Sequence, residues 1–510
     1  MIKRTFLIGS LLIGINAVHA QEMMPGEGVQ YANPFQTGSA RFNAMGGSFG
    51  AIGGDISSIH INPAGSAVNV ANYATGGLNL NMENNQGNYF GNNQRANKTN
   101  FDFSNVGVVF NFENSNPESS LKKTTLSFDI SGNSFLDRDV NFKGINENSI
   151  ANYFLQHANQ GYDGAAVPIG LIQDSNLSIG DLYADLNSIP QGFSAQQALL
   201  GFQSYLLDFD SGAGNYISTM ANGPYLQEHY ARSRGTNNKI TANLAFDFNN
   251  RFYVGANVNF HTIDRRMTKE IYEGTQSNVQ NGVTEILFTN DLYTYGNGFS
   301  FNIGGMAKVT EELRAGLSYQ SPTWYNLNDE FEQFMETIVV TDGASEYVDA
   351  SPYVITLYDK YKLKTPGKIN ASLAYVFGHN GLINVDYSRT DYTTMKYGKG
   401  DEFALINNFY KDHLQASNEI RVGGEYRIDA WSLRGGYRWQ QSPYKNKEMM
   451  DDLFGISAGF GYSFGNKRID LAYTYLQQKY ATPMISSGLN DMAKITQKNN
   501  MITLSYNVYF

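Results

Sequence analysis

About fourteen stretches of this 510-residue chain alternate apolar with polar residues, and the segments between them are by turns short and long. Candidates lie near 73–83, 101–112, 121–142, 237–249, 252–273, 291–309, 312–332, 354–377, 381–397, 417–428, 430–441, 453–464, 468–480 and 499–510. A period of two puts one row of side chains on each face of a strand. Asn249-Asn250-Arg251, Thr310-Glu311, Gly378-His379-Asn380, Asp429-Ala430 and Gly465-Asn466-Lys467 read as tight turns. Long polar connections fall at 84–100, 143–236, 274–290, 333–353, 398–416, 442–452 and 481–498, with a middling turn near 113–120. A sandwich has no reason to keep this rhythm. An antiparallel barrel with short turns at one end and long loops at the other does. The expected fold is all-β, a transmembrane antiparallel barrel of about fourteen strands, with both termini on the short-turn side.

Single strands follow the same logic. In the last of them Ile502, Leu504, Tyr506, Val508 and Phe510 share one face, and Thr503, Ser505, Asn507 and Tyr509 the other. Phe252, Val254, Ala256, Val258 and Phe260 oppose Asn257, Asn259 and His261 in another. A lysine or arginine on the lipid side costs about 2–4 kcal/mol at mid-depth, and these apolar faces carry none. An aromatic residue at the end of such a strand resembles the closing strand of Gram-negative outer-membrane proteins.

At the other end Lys3 and Arg4 precede an apolar run from Phe6 to Ile15, then Val18-His19-Ala20. That is the pattern of a cleaved signal peptide, expected over residues 1–20. The run is too short for an ordinary spanning helix. The chain has no cysteine, hence no disulfide framework, and its formal charge of −10 with no basic stripe argues against nucleic acid. A barrel of this size is too wide for wall side chains alone to fill. Residues 21–72 lack a long alternating run and are rich in small residues (Ala44, Gly46, Gly47, Gly50, Ala51, Gly53, Gly54), so they are the expected plug. Residues 73–510 would then form the barrel.

Within this plug, Ser39 to Gly47, Ala51, Asp55 and Ile61-Asn62-Pro63-Ala64-Gly65 resemble the hatch of the FadL-type family. Leu363-Lys364-Thr365-Pro366-Gly367, Ile420 to Arg427 and Leu433 to Tyr437 resemble its later strands. The resemblance marks Asn62, Pro63 and Ala64 as the hatch motif. It implies an outer-membrane channel for passive uptake of long-chain fatty acids or other hydrophobic compounds, with lateral exit into outer-membrane lipid. No cofactor, metal or nucleic acid is implied, and a monomer is expected. Some relatives are described as hemin receptors, and others, PorV-like, bind proteins of a secretion system. Both remain alternatives to the transport reading.

Three groups of residues invite closer inspection. In the long connection 143–236, residues 149–158 and 195–207 have helical spacing. Leu199, Phe202, Tyr205 and Leu206 could line a ligand groove, or the helices could pack on each other as a cap. With Asp429-Ala430 as a two-residue turn, Glu425 falls opposite Arg434 and Arg421 opposite Arg438. Two facing arginines invite an anion. Arg421, Arg434 and Arg438 are therefore candidate contacts for a ligand carboxylate, or for a hatch acid such as Glu27 or Asp55. The histidines show no metal spacing, although His157 or His229 could serve haem as a single axial ligand. No Ser-His-Asp grouping or carboxylate pair stands out, so no enzymatic activity is expected.

Overall fold

The structure is a computed structural model that describes residues 25–32, 37–132, 136–161, 164–400 and 403–510. The signal segment expected at 1–20 lies outside the described residues. Fourteen antiparallel strands close into a barrel. The first six are β1 (Tyr73–Tyr89), β2 (Asn92–Glu113), β3 (Leu121–Ser131, resuming as Arg138–Asn146), β4 (Tyr225–Phe248), β5 (Phe252–Thr275) and β6 (Gly282–Lys308). Next come β7 (Leu313–Gln320, then Trp324–Thr341) and β8, in pieces at Ala344–Asp349, Thr356–Leu357, Tyr361–Lys364 and Lys368–Phe377. The last six are β9 (Gly381–Asp391 with Lys396–Tyr397), β10 (Ala416–Ile428), β11 (Trp431–Gln440), β12 (Leu453–Phe464), β13 (Lys467–Pro483) and β14 (Met492–Tyr509). Pairing of β1 with β14, from Tyr73↔Tyr509 to Asn88↔Lys494, closes the sheet.

The period of two is visible in burial. On β5, Phe252, Val254, Val258 and Phe260 are exposed outward, while Asn257, Asn259 and His261 are buried in the lumen. Past Phe260 the outward positions become Thr262, Asp264 and Arg266, and the strand continues to Thr275. Three expected loops are therefore largely strand. β1 and β2 meet at a turn over Phe90-Gly91, β5 and β6 leave only 276–281 between them, and β7 runs on to Thr341. Above the lipid both faces of such a strand are wet, so the apolar alternation that reveals a strand is absent there.

Connections at the other end are short, as expected. The three-residue turn Asn249-Asn250-Arg251 joins the paired Phe248 and Phe252, with φ of 56° and 55° at Asn249 and Asn250, a left-handed conformation that asparagine tolerates. Asp429-Ala430 joins β10 to β11.

The connection between β3 and β4 folds into a cap. It contains α3 (Ala151–Gln160), α4 (Ile169–Ile172), α5 (Ile179–Leu186), α6 (Gly192–Gln203) and a hairpin of Leu207–Asp210 with Asn215–Ser218. Phe154, Leu199, Leu200, Leu206 and Leu207 form its core, which continues into Ile271, Ile286 and Phe288 of the wall. A further helix, α7 (Ala404–His413), lies between β9 and β10 and buries Ile406 and Tyr410 in a second apolar cluster. Ahead of β1, the described plug segments are α1 (Pro25–Ala32), α2 (Ala40–Ala44) and two 3-10 turns, Ile56–His60 and Pro63–Val68.

Candidate functional site: hatch, chamber and wall

The hatch is built by its own side chains before it meets the wall. Ser39 caps α2 by accepting from Phe42 N, and its hydroxyl donates to the Asp55 carboxylate at 2.8 Å. Asp55 in turn caps the first 3-10 turn by accepting from Ser57 N at 2.9 Å. Pro63 holds Asn62 extended (φ −139°, ψ 112°), and Pro63 begins the second 3-10 turn where its missing N–H costs nothing. The Asn62 amide then joins three segments. Its oxygen accepts from Ala64 N at 3.1 Å, and its nitrogen donates to Gly50 O at 2.8 Å and to Gly305 O of β6 at 3.0 Å.

Contact with the wall depends on lumen-facing glycines. A Cβ on Gly316 would lie 2.1 Å from Gly50 O, one on Gly436 2.3 Å from Gly46 N, and one on Gly255 2.6 Å from Pro63 C. Polar wall side chains fill the gaps between these contacts. Asp386 accepts from Phe49 N and Gly50 N (3.0 and 3.1 Å), Asn257 donates to Ile59 O, and Ala40 N donates to Ser505 Oγ at 2.7 Å. Small residues in the hatch were legible from sequence. Their glycine counterparts on the wall had a signal too, because a glycine at an inward strand position needs a reason.

The expected register is present, with Glu425 opposite Arg434 and Arg421 opposite Arg438. Arg434 donates to Glu425 at 2.7 Å and to Asp470 at 2.8 Å. Arg438 lies 2.8 Å from Glu419, which also takes Lys368 at 2.7 Å and lies 3.8 Å from Arg421. The anion between the facing arginines is thus Glu419 of the wall, rather than Glu27 or Asp55 of the plug. Glu27 sits 3.9 Å from Lys269. The side chain that pins the hatch electrostatically is one the sequence reading passed over. Arg41 of α2 meets Glu425 through Nε at 2.7 Å and Nη2 at 3.3 Å, and gives Nη1 to Gly54 O.

Above the hatch lies an aromatic chamber. Tyr325, Tyr361, Tyr392, Tyr397, Tyr410 and Tyr444 surround α1, whose Val29 and Tyr31 are buried among them. Gly28 leaves no room for a side chain, since a Cβ there would lie 2.3 Å from the Tyr410 hydroxyl. At its edge Leu136 joins the same cluster.

Leu136 belongs to a break in the wall. Among the described residues β3 pairs with β2 as far as Asn105↔Ser131, with one further bond from Gly132 N to Ser104 O at 3.2 Å. Resuming at Arg138, β3 pairs with β4 alone among the described residues. Its upper part turns inside the barrel, where Asn141 O would be 2.5 Å from a Cβ on Gly87 of β1. The upper edge of β2 is left without that neighbour, and Phe101 beside it is 71% exposed.

Against known proteins, a family model described as outer membrane protein transport protein (OMPP1/FadL/TodX) matches residues 212–510. The chain belongs to this family. Among solved structures, a FadL homologue from Pseudomonas aeruginosa is 12% identical over 93% of this chain and 99% of that one, with a TM-score of 0.53. The Pseudomonas putida toluene transporter TodX is 13% identical over 94% and 100%, with a TM-score of 0.52. At these identities the likeness speaks to the fold: a fourteen-stranded barrel with its N-terminal region inside. No curated protein sequence matches. The chain is an outer-membrane, multi-pass β-barrel transport protein.

Leu199 and Leu206 lie in the core of the cap, Phe202 is half-buried against it, and Tyr205 is 61% exposed. His157 is enclosed between α3 and α6, with Nδ1 3.0 Å from Ser194 Oγ and its ring edge-on to Tyr153. Burial pushes its imidazole down to about 4, so it is neutral at physiological pH. His229 is buried and stacked on Phe142 at 4.5 Å. Among the described residues no group of three or more His, Asp or Glu is placed to hold a metal ion.

Proposed function

We propose that the chain is a passive channel for hydrophobic compounds, long-chain fatty acids among them. Ligand enters under the cap, displaces α1 from the tyrosine-lined chamber, and leaves sideways through the break in β3. The observation that carries this reading is that break. Leu136 carries the apolar chamber cluster to β3 just past the point where backbone bonding with β2 ends, at Gly132 N to Ser104 O. Lateral release keeps an acyl chain out of periplasmic water, an exposure costing about 0.8 kcal/mol per methylene. Asn62, Pro63 and Ala64 hold the floor of the chamber. Arg421, Arg434 and Arg438, each within 4 Å of a carboxylate, act in this reading as struts of the wall beside the hatch.

The test is the initial uptake of radiolabelled oleate by a Gram-negative host that lacks its own long-chain fatty acid channel. Leu136→Trp places bulk at the inner mouth of the break and should lower uptake at least tenfold while the barrel still shows heat-modifiable gel mobility. Wild-type uptake by the folded variant would remove lateral exit. Failure of the wild-type chain to raise oleate uptake above the empty host would remove fatty acids as its cargo.

A further inference from the structure

The outside of the barrel carries a second set of cations, above the lipid-facing band on β8 and β9. Lys362 and Lys364 alternate with Tyr361 and Leu363, which are buried in the chamber, so both lysines point outward. On β9, Lys396 points outward beside buried Tyr397. Arg389 follows the lipid-facing row of Ile383, Val385 and Tyr387. All four cations are exposed.

Their arrangement is unfavourable in isolation. Lys364 is the direct cross-strand partner of Lys396, and like charges placed opposite each other destabilise a sheet. Among the described residues none of the four has a carboxylate within 4 Å, whereas outward arginines elsewhere do: Arg234 with Asp139 and Arg266 with Asp291. Asp391, on the same strand as Arg389, accepts at its carboxylate from Thr393 N and Oγ1. Among the described residues Arg389 itself donates only to the neutral Asn418 side chain.

The patch is continuous with the membrane surface. Trp324 is the cross-strand partner of Lys364, and Ile369 that of both Tyr319 and Arg389. Trp324, Tyr319, Tyr387 and Ile369 are 38–55% exposed. Aromatic rings of this kind sit at headgroup level, with apolar bodies in the chains and polar edges in water. Lys364, level with Trp324, and Lys362, one step further out, meet the layer where lipid phosphates lie.

We propose that Lys362, Lys364, Lys396 and Arg389 form a docking surface for the phosphate groups of anionic lipid in the outer leaflet, seated beside Trp324, Tyr319 and Tyr387. A phosphate between Lys364 and Lys396 turns a repulsive pair into two charge-assisted contacts. It also ties β9 to β8 where Thr365-Pro366-Gly367 and the turn at Tyr392–Thr394 interrupt their ladder.

The test is native mass spectrometry of the full chain in neutral detergent, titrated with diphosphoryl lipid A. The triple variant Lys362→Gln, Lys364→Gln, Lys396→Gln should bind about a hundredfold more weakly, at about fivefold per lysine. The loss should shrink as salt is raised toward molar concentration. Arg266→Gln, whose arginine is already paired, should bind as the wild type does. Phosphatidylcholine should not distinguish wild type from the triple variant. Undiminished lipid A binding by a triple variant with wild-type gel mobility would overturn the proposal. So would displacement of lipid A by millimolar inorganic phosphate, which would mark a site for a free anion.

Discussion

Removal of the Arg41 guanidinium is the sharpest perturbation of the hatch. The Arg41→Met variant keeps the apolar stem but deletes a fork that meets Glu425 at 2.7 and 3.3 Å and Gly54 O at 2.9 Å. The Glu425 side chain is 1% exposed, and that of Arg41 10%. Breaking a buried ion pair by removing one partner costs about 3–5 kcal/mol, most of it from the charge left behind. Glu425 keeps Arg434 at 2.7 Å and Arg427 at 2.7 Å, so its charge is not orphaned. The lower limit, about 3 kcal/mol, is therefore the expected loss. At 1.4 kcal/mol per factor of ten, local opening of the hatch should rise about a hundredfold. Hydrogen exchange read by mass spectrometry on peptides spanning residues 37–55 measures that opening directly, with peptides from β12 as an internal reference. Exchange in the variant within threefold of wild type would refute the reasoning, because the ion pair would then contribute nothing to holding the hatch. A cycle with Glu425→Gln isolates the pair from the other partners of each residue.

Three further outcomes follow from the same contacts. Gly436→Leu should prevent the hatch from seating, since its Cβ meets backbone at 2.3 Å, whereas Gly435→Ala, with nothing nearer than 3.9 Å, should be silent; ion conductance across a planar bilayer separates them. Asn62→Ala removes the side-chain bonds to Gly50, Gly305 and Ala64 and should cost about 1–3 kcal/mol, measured as a lower temperature for loss of heat-modifiable mobility. The cap should loosen with acid. His157 is held neutral to about 4 against 6.5 when unfolded, so the unfolded cap binds the extra proton and stability falls as pH drops from 6.5 toward 4. That amounts to about 2 kcal/mol by pH 5. Hydrogen exchange of α3 and α6 should show this loss, and His157→Gln should reduce the dependence.

How far the fold was legible depends on where water lies. Phe252 to Phe260 and Ile502 to Phe510 announce strands because lipid faces one side and water or the hatch the other. The strand count followed from that contrast and from turns such as Asp429-Ala430. Where β1 passes Met82 and β2 begins at Asn92, both faces are polar, and the sequence looked like loop. The hatch motif was readable because Asn62-Pro63-Ala64 fixes its own backbone within three residues.

The sequence by itself determined the barrel, its strand register at Glu425 and Arg434, the plug, and the family, since each rests on periodicity or on bonds between near neighbours in the chain. Tertiary structure alone decided that Arg41 meets Glu425, that Glu419 sits between Arg421 and Arg438, that α1 fills the chamber, and that β3 leaves the wall at Ser131. Each of these joins segments far apart in the chain, and for such pairs the outcome is set by which donors, acceptors and glycines the closed sheet brings face to face.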